Sequence, residues 1–125
     1  MDSTNYKTLV LGASSKEGRF SLLAIKSLLR NNVEVFAIGA RDSEVNEVKI
    51  VSKKIDIIDI HTVTLYLNPQ NLNSYIDYII GLKPKRIIFN PGTENSELLQ
   101  KARENGIEVV FNCTLVMLNN GSYFK

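Results

Sequence analysis

Short apolar runs alternate with amphipathic segments along this chain, and that alternation constrains its fold more than any other feature. "TLVLGA", residues 8–13, is a compact apolar run ending beside a glycine, which suits a strand buried on both faces rather than one half open to solvent. From about Arg19 to Asn31, Leu22, Ile25, Leu28 and Leu29 recur at helical spacing, and "RNN" closes the segment. "VEVFAIG" supplies a second strand. "TVTLYL" is rich in β-branched and aromatic residues and runs into Asn68-Pro69, a capping residue followed by a proline preset for a first helical turn. Leu72, Tyr75, Ile76, Ile79 and Ile80 then form a helical stripe, with Gly81 and Pro84 marking its exit. "RIIFN" and "IEVVFN" are two more strands, separated by a helix that carries Leu98, Leu99 and Ala102 and stops at Asn105-Gly106. Residues 40–62 are charged and irregular, and are expected to be a connection with short β or helical pieces.

Strands alternating with amphipathic helices imply parallel βαβ units with right-handed crossovers. The expected architecture is α/β: a Rossmann-like doubly wound parallel sheet of about five strands with helices on both faces. With 125 residues, 44% of them hydrophobic and 22% charged, residues 1–125 make one domain. In such sheets ligands collect beyond the carboxyl ends of the strands, where strand order reverses. The loops that matter are therefore Gly12–Arg19, Gly39–Asp42, Leu67–Gln70, Asn90–Asn95 and Asn112–Thr114.

Charge and composition exclude several function classes. A net charge of +2, with no run of like charge longer than Lys53-Lys54, points away from nucleic acid. The single cysteine cannot form an internal disulfide, "MDSTNYK" lacks the basic start and apolar run of a signal peptide, and no apolar run approaches ~20 residues. A soluble, cytoplasmic protein with no membrane contact is expected.

The first loop carries phosphate-binding parts. Gly12 permits a tight turn, Ser14 and Ser15 offer hydroxyls, and the next helix offers unpaired N–H groups. A dinucleotide fingerprint starting at Gly12 needs glycine at positions 14 and 17, where Ser14 and Glu17 stand. A helix terminus contributes only ~0.3–1 kcal/mol to anion binding, so Lys16 and Arg19 would have to add to it. The plainer alternative is a strand-to-helix turn with its cap. At the end of the second strand, Gly39-Ala40-Arg41 replaces the carboxylate that an NAD site presents to ribose, which disfavours NAD. Arg41 suits a ribose phosphate, as in NADP or in coenzyme A with its 3′-phosphate; its alternative is a solvated charge. "NPGTEN", Asn90–Asn95, reads as a turn at Pro91-Gly92 with Thr93 or Asn95 as helix cap. Three separate strand ends thus carry small or capping residues that admit a ligand closely.

Taken together, "VLGASSKEGRFS", "TVTLYLNP", "RIIFNPGTEN" and "GIEVVFNCTLVML" resemble the small CoA-binding-domain proteins, relatives of the nucleotide-binding domain of the succinyl-CoA synthetase alpha subunit. The likeness follows the same order over nearly the whole chain, and its opening motif is Gly12, Ala13, Ser14, Ser15, Lys16 followed by Gly18-Arg19. The resemblance implies that the loop from Gly12 to Gly18 wraps the diphosphate of CoA, with Ser14 and Ser15 as donors. It also implies adenosine near Gly39, Ala40 and Arg41, and a ligand running past Leu67, Asn68 and Pro69 toward Pro91, Gly92 and Thr93, beside Asn90 and Asn95. Two departures stand out: Ile38-Gly39-Ala40-Arg41 in place of a Val-Asn-Pro type sequence, and Glu17 and Phe20 where many relatives have proline.

No catalytic set emerges from the residues. His61 precedes a strand and is expected to be structural; it does not correspond to the phosphorylated histidine of succinyl-CoA synthetase, which lies in a domain absent here. One histidine and one cysteine do not make a metal site. Asp56, Asp59 and Glu94 show no pairing. Cys113 is either a small buried residue of "NCTLVML" or a thiol near the pantetheine arm, able to form a mixed disulfide with CoA. The expected function is non-catalytic binding of coenzyme A or an acyl-CoA, as sensor, carrier or regulatory module, with a small nucleotide as partner. The alternatives are an NADP-binding oxidoreductase or redox sensor, and an interaction subunit with a vestigial pocket.

Overall fold

The computed structural model describes residues 3–125. After a 3-10 turn at Ser3–Tyr6, the order is β1 (Thr8–Ala13), α1 (Phe20–Arg30), β2 (Val35–Gly39), β3 (Ser43–Val45), β4 (Val48–Val51), β5 (Thr62–Leu65), α2 (Pro69–Leu72), α3 (Ile76–Leu82), β6 (Arg86–Phe89), α4 (Ser96–Glu104), β7 (Glu108–Phe111) and α5 (Thr114–Asn120). The strands form one sheet in the order β3-β4-β2-β1-β5-β6-β7. Every neighbouring pair is parallel except β3 with β4. Strand order reverses at β1, which lies between β2 and β5.

The doubly wound parallel sheet is the expected one, and the five strands read from the sequence are β1, β2, β5, β6 and β7. The strand count is corrected to seven. The extra pair, β3 and β4, lies in the irregular stretch and is joined by Asn46 and Glu47, both at positive φ (47° and 74°). That is the backbone of a two-residue hairpin turn, which usually announces itself with glycine in second place. The hairpin's charged sequence also hides its apolar alternation. The exit of α3 falls between Gly81 and Pro84 as expected: Gly81 lies in the last turn, and Lys83, held at φ 53°, caps the helix just before Pro84. The segment "TLVMLNN", to which the sequence reading gave no helix, forms α5, with Thr114, Met117 and Leu118 buried.

Alternating side chains of β1 serve two cores. Leu9 and Leu11 pack with Leu72, Ile76 and Ile79 of α2 and α3 and with Leu98 and Ala102 of α4. Val10 and Ala13 face the other way, toward Leu22, Ile25 and Leu28 of α1 and Met117 and Leu118 of α5. Each such fully buried aliphatic side chain is worth about 1.5–3 kcal/mol, so a one-residue slip of β1 would mismatch both faces.

At the amino-terminal end of the sheet, Arg86 is buried with Nε donating to Thr62 Oγ1 and one terminal nitrogen to the Tyr123 carbonyl, each at 2.9 Å. Its guanidinium lies 4.3 Å from the centroid of the Tyr123 ring. Tyr123, fully buried, shares a hydrogen bond with Thr8, so this cluster fastens the chain's last segment under β1, β5 and β6.

Candidate functional site

Because β1, β2, β5, β6 and β7 run parallel in matched register, their last residues (Ala13, Gly39, Leu65, Phe89 and Phe111) end at one rim. The loops beyond them are the ones picked out from the sequence. What draws three of them together is the absence of side chains at two glycines. A Cβ on Gly12 would sit 2.7 Å from the Tyr66 carbonyl carbon, and one on Gly39 would sit 2.1 Å from the Ala13 oxygen. Tyr66 N–H donates to the Leu11 carbonyl at 2.8 Å, closing the β1 exit onto the β5 exit. Glycine is required at position 12 for this backbone–backbone contact and for its φ of +93°. Ala13, buried in the core below, likewise has a packing role.

The free part of the first loop is Ser15–Arg19, all exposed. Ser14 organises it: its N–H donates to Ser21 Oγ, and its own hydroxyl oxygen accepts from Lys16 N–H, both at 3.1 Å. Gly18 turns the chain at φ +86° with open space where a side chain would go. The N-cap of α1 is Arg19, whose side chain makes no cap bond, and the first turn holds no acid. The initial N–H groups of this helix thus keep their capacity for an anion, flanked by Lys16 and Arg19. Ala40 and Arg41, both exposed, follow β2 on the neighbouring strand end; Asp42 beside them accepts from Ser52 N–H at 2.8 Å.

On the other side of the switch point most of the expected residues hold the scaffold. Asn68 caps α2, accepting from Asn71 N–H at 2.8 Å, with Pro69 as first helical residue. Asn95 caps α4 through Leu98 N–H and donates to the Pro69 carbonyl at 2.7 Å, tying the β5 and β6 loops together. Asn90 is buried and fully occupied: Nδ2 donates to Thr64 Oγ1 and the Leu65 carbonyl, and Oδ1 accepts from Thr114 N–H. Thr93 is buried and donates to the Asn90 carbonyl. Asn90, Thr93 and Asn95 therefore build the frame of the rim through their side-chain hydrogen bonds. Asn68, Pro69, Pro91 and Gly92 are exposed at the rim, with Leu67 half-buried between. Cys113 reaches the rim half-buried at the start of α5, its own N–H donating to Asn112 Oδ1.

Three residues of the rim carry no clear signal in the sequence. Ser21 receives the Ser14 N–H from inside α1, where a serine reads as ordinary helix surface. Tyr66 follows β5 with its hydroxyl buried beside Thr64 and Thr114 but without a hydrogen bond, and burial pushes that hydroxyl well above its ordinary pKa. Phe111 ends β7 half-exposed, its ring stacked on Phe89.

His61 lies at the opposite end of the sheet, before β5, with Nδ1 bonded to Thr62 Oγ1 and its ring 4.4 Å from that of Tyr6. Burial, then the cations of Arg86 and Lys85, lower its pKa to about 4. Two open cavities of about 560 and 700 Å³ also lie at this end, lined by Lys83, Lys85 and Ile107 and by Lys7, Asp59 and His61 respectively; neither includes a rim residue. Among the described residues no group of three or more His, Cys, Asp or Glu is placed to hold a metal ion, and no helix is long and apolar enough to cross a membrane.

Loops gathered at the carboxyl edge of a doubly wound sheet, around its switch point, define the Rossmann-like class of α/β domain, in which ligands bind at that edge. Within that class the chain belongs to the CoA binding domain family, whose model matches residues 6–119, and membership supports a role in binding CoA. It is similar over 94% of its length to the crystal structure of an uncharacterized protein, at 48% identity, 97% coverage of that chain and a TM-score of 0.91. A hypothetical protein from Pyrococcus horikoshii OT3 is 29% identical, with 92% of this chain and 82% of that one aligned and a TM-score of 0.83. A protein from Thermus thermophilus, 18% identical over 93% of this chain and 90% of that one, shares the fold with a TM-score of 0.78. No curated protein matches.

Proposed function

We propose that this protein is a non-catalytic binding module for coenzyme A or an acyl-CoA. The observation that carries the reading is the exposed Ser15–Arg19 loop leading into an uncapped α1, one strand away from exposed Arg41, in a chain of the CoA binding domain family. The diphosphate would lie against the loop and the first N–H groups of α1, and the 3′-phosphate against Arg41. The titratable residues give no reason to add chemistry: the one histidine is at the far end of the sheet, and the rim carboxylate Glu94 is engaged with Gly92 N–H at 3.2 Å.

Thermal unfolding tests the proposal. A ligand present at ~100 times its dissociation constant adds about 2.7 kcal/mol to the native state, a shift easily seen. CoA is expected to raise the melting temperature and NAD to leave it unchanged. A response to NADPH and none to CoA would replace this reading with an NADP site; a response to neither would favour an interaction subunit. Gly12→Val is unsuitable as a binding-site control, because its side chain would collide with the Tyr66 backbone.

A further inference from the structure

We propose that the rim is built for a thioester rather than for free CoA, with an apolar acyl group lying on the exposed face of Phe111. This rests on the CoA reading above and extends it to the other end of the ligand.

Charge is distributed unevenly along the strand order. The cations of the rim are Lys16 and Arg19 after β1 and Arg41 after β2. The loops after β5, β6 and β7 (residues 66–68, 90–95 and 112–113) contain no lysine, arginine or histidine, and their single charge, Glu94, is an acid. A ligand whose phosphates sit on the β1 and β2 side therefore has one electrostatically sensible direction for its uncharged arm: across β5 and β6 toward β7. At about 4.8 Å per strand, the three steps from β1, where the diphosphate would lie, to β7 span roughly 14 Å, a distance that an extended arm covers.

Phe111 is what stands at the end of that path. It is the last residue of β7, the outermost strand, and 51% exposed. Its ring is held in place by stacking on buried Phe89, with centroids 5.1 Å apart and planes at 23°, while Asn112 N–H bonds to the Phe89 carbonyl. A lone exposed phenylalanine calls for no explanation by itself. This one is a preordered apolar surface at the pole of the rim farthest from the cations, so an amphipathic ligand is matched at both ends. Binding there costs little ordering of the ring, since the stack has already fixed it.

Calorimetric affinities for CoA and for acetyl-, butyryl- and octanoyl-CoA, measured on the intact protein and on Phe111→Ser, test the proposal. In the unaltered protein affinity is expected to rise with chain length, by up to about fourfold for each methylene that leaves water. In Phe111→Ser that dependence is expected to flatten. Phe111→Thr, which keeps a strand-favouring side chain, serves as the second variant should the serine protein not fold. Equal affinities for CoA and octanoyl-CoA would overturn the thioester proposal and leave the CoA reading standing. A chain-length dependence undiminished in both variants would overturn the placement on Phe111. If none of the four compounds binds, the CoA reading fails and this proposal with it.

Discussion

Gly39 and Ala13 meet backbone to backbone: a Cβ on Gly39 would lie 2.1 Å from the Ala13 carbonyl oxygen. The exit of β2 is thereby seated against the exit of β1, beside the register shift that falls between Leu11 and Ala13. Even a methyl group must push the two strands apart. Gly39→Ala is expected to destabilise the protein by about 3 kcal/mol, the upper part of the usual overpacking range, because the nearest atom it meets is backbone that cannot swing aside. Urea unfolding would measure it, and an unchanged midpoint would show that the tips are not locked in this way.

Tyr66 offers the opposite expectation. Its hydroxyl is buried without a hydrogen bond, so the native state bears a desolvation cost that the unfolded chain does not. Tyr66→Phe keeps the ring and removes the hydroxyl, and should stabilise the fold by up to about 1 kcal/mol. A clear loss of stability on this substitution would show that the hydroxyl has a partner important to the native state.

His61 makes stability depend on pH in a defined direction. Its native pKa is lowered to about 4 from an ordinary 6.5, first by burial and then by Arg86 and Lys85. Between those values the unfolded chain binds a proton that the native state refuses, so stability falls as pH drops from about 6.5 toward 4. Above pH 7 both states are neutral at this residue and the effect vanishes. Side-chain NMR should find His61 titrating near pH 4, and His61→Asn should remove part of the decline in stability on acidification. Parallel pH profiles for the two proteins would contradict this.

Arg41 is expected to discriminate between CoA and dephospho-CoA. If the guanidinium meets the 3′-phosphate, Arg41→Ala weakens CoA about tenfold, the cost of one exposed charge-assisted contact, and leaves dephospho-CoA nearly unaffected. Equal losses for both ligands would place Arg41 elsewhere along the nucleotide, and no loss for either would make it a solvated charge.

Much of the fold is legible in the sequence because its elements obey one period at a time. The apolar run of β1 is read from spacing alone, as is the stripe from Leu72 to Ile80, although that stripe spans α2, a 3-10 turn at Asn73–Tyr75 and α3 rather than one α-helix. Asn68-Pro69 declares the start of α2, and of the two cap candidates Thr93 and Asn95 it is Asn95 that starts α4. The β3–β4 hairpin is illegible for a physical reason: its turn puts Asn46 and Glu47 in the left-handed region without glycine, and its three- and four-residue strands are too short to show a period. Lys83 does the same at the end of α3, between Gly81 and Pro84, the pair that marks the exit in the sequence.

By itself, then, the sequence determined that strands would alternate with helices, that the sheet would be parallel and doubly wound, and which loops would share its carboxyl edge. Local periodicity and capping chemistry suffice for that. Only the tertiary structure decided which rim residues are tied into the scaffold. Asn90 is equally suited to a ligand or to a frame until Thr64, Leu65 and Thr114 are brought around it, and Gly12 is explained by a backbone 54 residues further along the chain. A polar side chain's function depends on whether packing has already satisfied its hydrogen bonds, and the neighbours that do so come from distant parts of the chain.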